Sequence, residues 1–405
     1  MTIVSEILKR MEGIRKPQRK FLLSLFVAIF ATHSRINFLN LSRHSSLNEK
    51  TYRRGFRRRF NFVRFNQETI SKALECDTQK AFAQDASFSK KSGKKTFGLD
   101  KFWNGCASRS EKGLEVSLIS IVDLKLNQSF ALSAEQTPPL GDLQQTNKEA
   151  SRVDFYLQHL QRTVPYFPLD VKIGLFDGFY AKLKFVDGVA RLGLTVVSKL
   201  RCDANLKYLY EGEQKPRGRK RKYWGKVDFQ DLSGFEKVEK ENEEQEQLTL
   251  YTKLVWSVSL KRKVKVVVVV KRKDEKKKPY VVLFSTDLEL SGQLILEYYK
   301  ARFSIEFIFR DAKQFAGFSD CQARDEEALH FQFNAAVTSV NLGRLMLQEE
   351  TKGKAKQVFS MSSIKQRCFN EHLLELFISR LELDQTAIKN HPQFESLRNY
   401  AAIAT

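Results

Sequence analysis

The spacing of hydrophobic positions divides the chain into helical and strand-forming stretches. Apolar residues recur at helical intervals in 4–14 and 18–33. From residue 79 the pattern changes to short apolar runs separated by amphipathic helices. Their order is strand, strand, strand, helix, strand, helix, strand, at 80–88, 115–124, 128–136, 147–164, 171–179, 180–193 and 194–201. This order predicts an α/β fold built on a ribonuclease-H-like mixed sheet.

The composition shifts after residue 203. A basic run at 215–222 and an acidic run at 236–247 precede two apolar strands, the second containing five consecutive valines at 266–270. We interpret this stretch as a β-rich insertion with the valine strand buried. Helical spacing returns at 291, and the segment KGKAKQ at 352–357 marks a linker to a helical tail. The predicted divisions are a helical basic DNA-binding region, a first part of the catalytic core, the insertion, a last part of the core and the tail, at 1–78, 79–202, 203–290, 291–348 and 349–405.

The charge balance limits the classes of partner. The chain has 69 Lys and Arg against 47 Asp and Glu, a net charge of +22, which favours nucleic acid or an anionic membrane surface. The most apolar run, 21–31, is shorter than a membrane span and has no signal-peptide cleavage pattern. We therefore interpret it as a core helix and expect no membrane association. Five scattered cysteines without zinc-ligand spacing fit a reducing cytoplasm.

Arginines and aromatic residues alternate near the end of the N-terminal region. Tyr52, Phe56, Phe60 and Phe62 would face a small core, which leaves the arginines outside. Six arginines within twelve positions suit contacts with DNA phosphates. They are Arg53, Arg54, Arg57, Arg58, Arg59 and Arg64. The alternative is a solvated basic face with no ligand.

A hydrophobic helix predicted over 297–313 carries a narrow charged stripe. At about 100° per residue, its polar residues fall within a quarter-turn, while phenylalanines and isoleucines take the other directions. The stripe consists of Tyr299, Arg302, Glu306, Arg310 and Lys313. One interpretation of the stripe is an amphipathic helix that faces water. The other is a stripe that lines a cleft holding a metal ion or phosphates.

Four residues of this stripe resemble the Y-R-E-K signature of bacterial insertion-sequence transposases with a DDE catalytic triad: Tyr299, Arg302, Glu306 and Lys313. The resemblance implies two upstream aspartates at strand ends, which complete a carboxylate trio around two Mg²⁺ ions, or Mn²⁺. Asp85 and Asp177 each end a predicted strand, and Asp123 is a rival for the first position. Two strand ends and a packed helix would align three carboxylates for two metal ions.

The resemblance also implies contacts with DNA. Arg302 and Lys313 would bind phosphates of the transposon end, and Tyr299 would contact the phosphate or base next to the scissile bond. Arg310, on the same stripe but outside the signature, is a further candidate for DNA binding. Lys199 and Arg201 follow the last core strand, where the family often has a basic contact. Trp256 and Trp224 are candidates for stacking on a flipped base, and Trp103 is a weaker one.

The predicted function is cut-and-paste transposition. The enzyme would bind the double-stranded terminal inverted repeats, cleave at the ends and join them to target DNA, as a homodimer on paired ends in the bacterial nucleoid. One alternative is a ribonuclease-H-like nuclease or resolvase. Another is a catalytically silent, transposase-derived DNA-binding protein.

Overall fold

The structure is a computed structural model that describes residues 2–75, 78–238, 248–271, 280–320, 322–352 and 358–403. Most of the predicted acidic run and all but the first residue of the predicted linker lie outside the described residues. Cys76 and Cys321 also lie outside them.

Five helices precede the sheet, as the apolar spacing predicts. They are α1 Thr2–Arg10, α2 Lys16–Ala31, α3 Phe38–Arg43, α4 Glu49–Phe56 and α5 Phe62–Ala73. Asparagine side chains cap α3, α4 and α5 by accepting a backbone N–H of the first turn. The apolar run 21–31 lies in α2, where Leu22, Leu25 and Phe26 are fully buried. Among the described residues no helix is long and apolar enough to cross a membrane.

The next segment forms the centre of the sheet. Its strands are β1 Lys80–Lys90, β2 Asp100–Asn104, β3 Arg109–Asp123, β4 Gln128–Gln136, β5 Ile173–Leu175 and β6 Thr195–Leu200. Its helices are α6 Leu140–Thr146, α7 Arg152–Thr163 and α8 Leu183–Arg191. The strand order is β4-β3-β1-β5-β6, with β3 antiparallel to β1 and β4, and with β5 parallel to both β1 and β6. The predicted ribonuclease-H-like mixed sheet is therefore confirmed.

The insertion continues this sheet. Its strands are β7 Leu206–Leu209, β8 Tyr223–Lys226, β9 Glu236–Val238, β10 Leu248–Ser257, β11 Arg262–Lys271 and β12 Tyr280–Ser285. β12 pairs with β6, and β11, β10, β7 and β8 follow outward. Val266 and Val268 pack on one face of the sheet while Val267 and Val269 pack on the other. The valine strand is thus covered on both faces, as predicted.

Six helices follow the insertion in the described residues: α9 Gly292–Ala301, α10 Ser304–Phe315, α11 Glu326–Glu350, α12 Met361–Arg380, α13 Gln385–Lys389 and α14 Pro392–Arg398. α11 lies against β4 and is bonded to its backbone. The amide of Asn341 accepts from the N–H of Ala131 at 2.8 Å and donates to its carbonyl at 2.7 Å. Asn334 does the same with Ala134, at 3.3 and 2.9 Å.

Two buried clusters lie on opposite faces of the sheet. One contains Ala81 and Ala83 of β1, and the other contains Phe82 between them. The N-terminal helices belong to the first cluster, where the ring of Phe56 lies 4.7 Å from that of Phe331 in α11. These helices therefore share a core with α11, and the predicted division at residue 78 does not separate two cores.

Candidate active site

Asp85 lies in the middle of β1 and not at its end as predicted, just past the point where β1 stops pairing with β5, and Asp177 lies two residues beyond the end of β5. In the register between β1 and β5, Ala83 is the partner of Leu175, and each aspartate lies two residues further on. Side chains two residues apart share a face of a sheet, so both aspartates extend the same row. The local sequence accounts for this arrangement, because three consecutive apolar residues, Ala81 to Ala83, bury the first half of β1 on both faces and polar Asp85 follows where the burial becomes partial.

The carboxylate of Asp85 is held in a confined, negatively charged environment. Its Oδ1 accepts from the N–H of Ala86 at 2.8 Å. Burial, and then the nearby Asp177, raise its pKa to about 7, against an ordinary value of 3.8. Arg302 opposes this shift, with its Nη1 3.7 Å from Asp85 Oδ2. Burial and the charge of Asp177 together therefore outweigh the opposing effect of Arg302 on this pKa.

Asp177 begins the short 3-10 turn Gly178–Tyr180. Its side chain accepts from the N–H of Phe179 at 3.0 Å, and its carbonyl accepts from Ser198 Oγ of β6 at 2.8 Å. Burial raises its pKa, while the N–H groups of Phe179 and Tyr180 and the charge of Arg302 lower it. Asp177 is therefore fixed to the turn and to the neighbouring strand.

The predicted helix over 297–313 is wrong in one respect, because it is two helices. α9 ends at Ala301 and α10 begins at Ser304. At the junction the N–H of Phe303 donates to Lys300 and that of Glu306 to Phe303, both three residues back. Arg302 and Phe303 keep right-handed backbone angles, so the chain tightens by a turn of 3-10 type without a glycine or proline.

The tight junction still brings the signature residues together. Arg302 Nη2 donates to Glu306 Oε1 at 3.1 Å, and its guanidinium carbon lies 5.7 Å from the centre of the Tyr299 ring. The Arg302 side chain is only 13% exposed, whereas Glu306 is 40% exposed. Since Arg302 also faces Asp85, one guanidinium connects the helical carboxylate to the strand carboxylate.

The donor set fits a divalent cation, although the carboxylates are not drawn together around one. Among the described residues no three His, Cys, Asp or Glu side chains are grouped so as to hold a metal ion. Instead Arg302 lies between Asp85 and Glu306 and supplies the positive charge there. Its Nε is buried and has no hydrogen-bond partner. Carboxylate oxygens are the ligands that Mg²⁺ prefers, and Asp85, Asp177 and Glu306 would supply them.

Asp123, the rival first aspartate, lies at the opposite end of β1. It pairs in register with Lys80, five residues before Asp85, which is about 17 Å along a strand. Its carboxylate accepts from Thr78 Oγ1 at 2.6 Å and from the N–H of Leu126 at 2.8 Å. These bonds make Asp123 a turn cap remote from the other candidates.

Lys313 and Arg310 take different positions from each other. Lys313 Nζ donates to Ser87 Oγ and to the Phe88 carbonyl, both at 2.8 Å, and so joins α10 to β1. Arg310 is 52% exposed and pairs with its neighbour Asp311. Lys313 therefore has a structural bond to β1, while Arg310 remains accessible; their DNA contacts stay predictions.

Of the two basic residues predicted to follow the last core strand, Arg201 does follow it, whereas Lys199 lies within β6. Val197 of β6 is the partner of Leu175, so Lys199 continues the row formed by Asp85 and Asp177. Lys199 is half-buried, and its carbonyl lies close to Gly178. Arg201 is 85% exposed and bonded to Asp203 at 2.8 Å. Their roles in binding DNA stay predictions.

The N-terminal arginines line a large open cleft. As predicted, Tyr52 and Phe56 are buried, and the arginines at 53, 54, 57, 58 and 59 are exposed. A cleft of about 1230 Å³ separates α4 from the far end of β1. Its cationic lining is Arg35, Arg53, Arg57, Lys90, Lys91, Lys112 and Arg324. Arg57 is bonded to Asp325 at 3.2 Å, while Arg54 and Arg58 have no side-chain partner among the described residues.

The tryptophans lie far from the carboxylates within one chain. Trp256 is on β10, four strands from β5, and Trp224 is on β8, six strands away. At about 4.8 Å per strand these separations are roughly 19 and 29 Å. Trp103, on β2, is 59% exposed. The structure does not bring Trp256 or Trp224 to Asp177, and base stacking by either stays a prediction.

Three aromatic rings near the carboxylates are exposed, which the spacing of apolar residues does not predict. Phe303 and Phe307 are 49% and 38% exposed, with ring centres 5.2 Å apart. Phe179, two residues after Asp177, is 45% exposed, and Lys182 Nζ lies 3.7 Å from its ring centre. The helical spacing places Phe303 and Phe307 on the packed side, and this prediction is wrong for both. The sequence signal that could have indicated their exposure is that Phe303 and Phe307 stand on either side of Glu306.

Comparison with known proteins relates this site to one enzyme family. Residues 143–342 match the family model of the transposase DDE domain, just under half of the chain. The matched range contains Asp177 and Glu306 and begins after Asp85. A cryo-EM structure of the piggyBac transposase synaptic complex with hairpin DNA is similar with a TM-score of 0.45 and 12% identity, covering 100% of this chain and 82% of that chain. No curated protein matches the chain. The family match supports assignment as a DDE transposase.

Proposed function

We propose that this chain is a cut-and-paste transposase of the insertion-sequence type with the Y-R-E-K signature. The observation that carries the proposal is the matched position of Asp85 and Asp177 on adjacent parallel strands, facing Glu306 through Arg302. The match to the transposase DDE domain over residues 143–342 supports the same chemistry.

In this proposal Asp85, Asp177 and Glu306 would hold two Mg²⁺ ions, or Mn²⁺. When bound, such ions supply Lewis-acid stabilisation of the attacking and leaving oxygens. The chain itself supplies rigidity, because two aspartates are fixed by strands and the glutamate by a packed helix. Arg302 would turn from the carboxylates to the scissile phosphate, for which a planar guanidinium is well suited.

The proposed reaction has two phosphoryl-transfer stages. In the first, a water oxygen bonds to the phosphorus at the transposon end, and the bond to the 3′ oxygen breaks, so that this oxygen leaves as a hydroxyl. In the second, that 3′ hydroxyl bonds to a phosphorus of target DNA, and the target 3′ oxygen leaves with a proton. Each stage exchanges one P–O bond for another, so neither requires an oxidant or reductant.

The DNA would be held by the basic surfaces on either side of the carboxylates. Lys199 and Arg201 lie beside Asp177, and the cleft bounded by Arg53 and Arg57 opens beyond the end of β1. Phosphate contacts of this kind fix the register of a duplex. We propose terminal inverted repeats as the duplex and a homodimer as the form that pairs two ends.

The test is a cleavage assay on DNA carrying the ends that flank the gene. Purified protein would be incubated with labelled duplexes with native or scrambled ends, in Mg²⁺ or Mn²⁺. Glu306→Gln removes the helical carboxylate. Glu297→Gln is the matched control, since Glu297 is exposed on α9 and bonded only to Gln293 in the described residues.

The outcomes separate three functions. Cuts at native ends by the wild type and Glu297→Gln, but not by Glu306→Gln, would support the transposase. Cuts that ignore the end sequence would indicate a ribonuclease-H-like nuclease. Binding without cutting in every protein would indicate a silent, transposase-derived DNA-binding protein.

A further inference from the structure

The hairpin between β7 and β8 carries a basic loop at the edge of the sheet. β8 is the outermost strand on this side, and residues 211–222 between the two strands are all exposed. The tip reads Lys-Pro-Arg-Gly-Arg-Lys over 215–220. Four of these six residues are cationic, and no part of the carboxylate site is involved.

The base of the loop is closed by hydrogen bonds. The N–H of Tyr210 donates to the Lys222 carbonyl at 3.0 Å. The side-chain amide of Gln214 bonds to both backbone groups of Arg221, at 2.8 and 2.9 Å. These bonds hold the two ends of the tip together, so residues 215–220 project from the sheet as a narrow loop.

Arg221 is part of this base. Its guanidinium carbon lies 4.9 Å from the Trp224 ring and 5.2 Å from the Tyr210 ring, and these two rings are 4.5 Å apart. Its Nε also donates to the Tyr223 carbonyl at 3.1 Å. The Arg221 side chain thus stabilises the base of the loop. Trp224 packs in the same group of side chains and supports the hairpin.

Arg217 and Arg219, at the tip of the loop, do not take part in these contacts as Arg221 does. In the described part of the chain neither side chain has a hydrogen bond, an ion pair or an aromatic partner, and both are exposed. Gly218 between them has a φ of +97°, and no atom lies within 4 Å of the position a Cβ would take. The tip therefore presents two unpaired guanidinium groups on either side of a residue with no side chain.

We propose that this loop binds the minor groove of A·T-rich duplex DNA. The minor groove is only about 6 Å wide, and a glycine between two arginines lets the backbone approach its floor. A·T tracts narrow the groove further and strengthen its negative potential, which attracts inserted arginines. Arginine suits this position better than lysine because the guanidinium is more weakly hydrated. The surface lies outside the carboxylate site, and the inference holds whether or not the chain cleaves DNA.

The test is equilibrium binding of the full chain in EDTA, so that no cleavage contributes. Three duplexes of equal length would carry a central tract of A·T, G·C or inosine·C pairs. Inosine lacks the guanine amino group, so an inosine·C pair resembles A·T in the minor groove and G·C in the major groove. We expect the wild type to bind the A·T and inosine·C duplexes roughly tenfold more tightly than the G·C duplex.

Two variants locate the preference. Arg217→Ala/Arg219→Ala should bind all three duplexes equally, and Arg217→Lys/Arg219→Lys should keep the charge but lose most of the preference. Arg191→Ala/Arg380→Ala is the matched control, since it removes two exposed arginines elsewhere and should leave the ratio unchanged. Equal binding of the three duplexes by the wild type would overturn the proposal. Binding of inosine·C like G·C would also overturn it, because the contact would then be in the major groove.

Discussion

The guanidinium of Arg302 lies 3.7 Å from the carboxylate of Asp85 and also donates to Glu306 at 3.1 Å. A residue at the junction of two late helices is thereby joined to the first strand of the sheet. Both carboxylates meet a single positive charge, which leaves the site with an excess of negative charge.

Replacing Arg302 should have a pH-dependent effect on stability. Arg302→Ala leaves the largely buried Asp85 carboxylate without its cationic partner, at a cost of about 1–3 kcal/mol in the free energy of unfolding at pH 8. At pH 5.5 the cost should be smaller, because Asp85 is then protonated. Urea unfolding at the two pH values measures the difference. Arg302→Lys should recover part of the stability, and an equal loss at both pH values would contradict the prediction.

Asp85 should itself destabilise the folded chain at alkaline pH. Its folded pKa of about 7 exceeds its ordinary value of 3.8, so between these values the folded state binds more protons than the unfolded state. Stability from this group therefore falls as the pH rises from about 4 through 7. Asp85→Asn should raise the melting temperature at pH 8 and raise it by less at pH 5, where only part of this loss of stability has occurred. A variant that is less stable than the wild type at pH 8 would show that the carboxylate is not strained by its surroundings.

The contribution of His159 to stability should depend on pH in the opposite direction to that of Asp85. It is fully buried between Ser117 and Ser133, with ring nitrogens 2.9 Å from both hydroxyls, and burial lowers its pKa to about 4 from 6.5. Between these two values the unfolded state binds more protons than the folded state. The contribution of His159 to the free energy of unfolding is therefore complete above about pH 6.5 and is lost as the pH falls to 4. The full span corresponds to roughly 3 kcal/mol.

The measurement for His159 is the change in melting temperature between pH 7 and pH 5. His159→Gln should be less stable than the wild type at pH 7 but should lose less stability on acidification. The same slope in both proteins would assign the acid sensitivity to other groups.

Lys313 should act as a structural link between α10 and β1. Lys313→Met removes two 2.8 Å hydrogen bonds to Ser87 and Phe88, and we expect a loss of about 1–3 kcal/mol in stability. Affinity for DNA in EDTA, measured on the same variant, tests the predicted phosphate contact separately. Lys300→Met, which removes an exposed lysine from α9, is the control. A large loss of affinity with unchanged stability would favour a direct phosphate contact instead.

The core strands and the place of Asp177 after a buried strand could be predicted from the sequence, because their signals are local. The apolar run at 81–83 marks β1, although Asp85 lies in the middle of that strand and does not end it. The break at Arg302 and Phe303 could not be predicted, since no proline or glycine marks it. The pairing of β12 with β6 also could not be predicted, because it joins residues far apart in the sequence. Exposure of Phe303 depends on that break, which a single regular helix does not contain.

The most direct test of the central claim compares two aspartates by the single-turnover rate of end cleavage in Mg²⁺. Asp177→Asn should reduce the rate roughly a thousandfold, the size expected for loss of an essential charged group at a reaction centre. Asp123→Asn, at the opposite end of the sheet, should stay within about tenfold of the wild type when the protein is folded. Cleavage by Asp177→Asn near the wild-type rate, or an equal loss in a folded Asp123→Asn, would contradict the proposed carboxylate site.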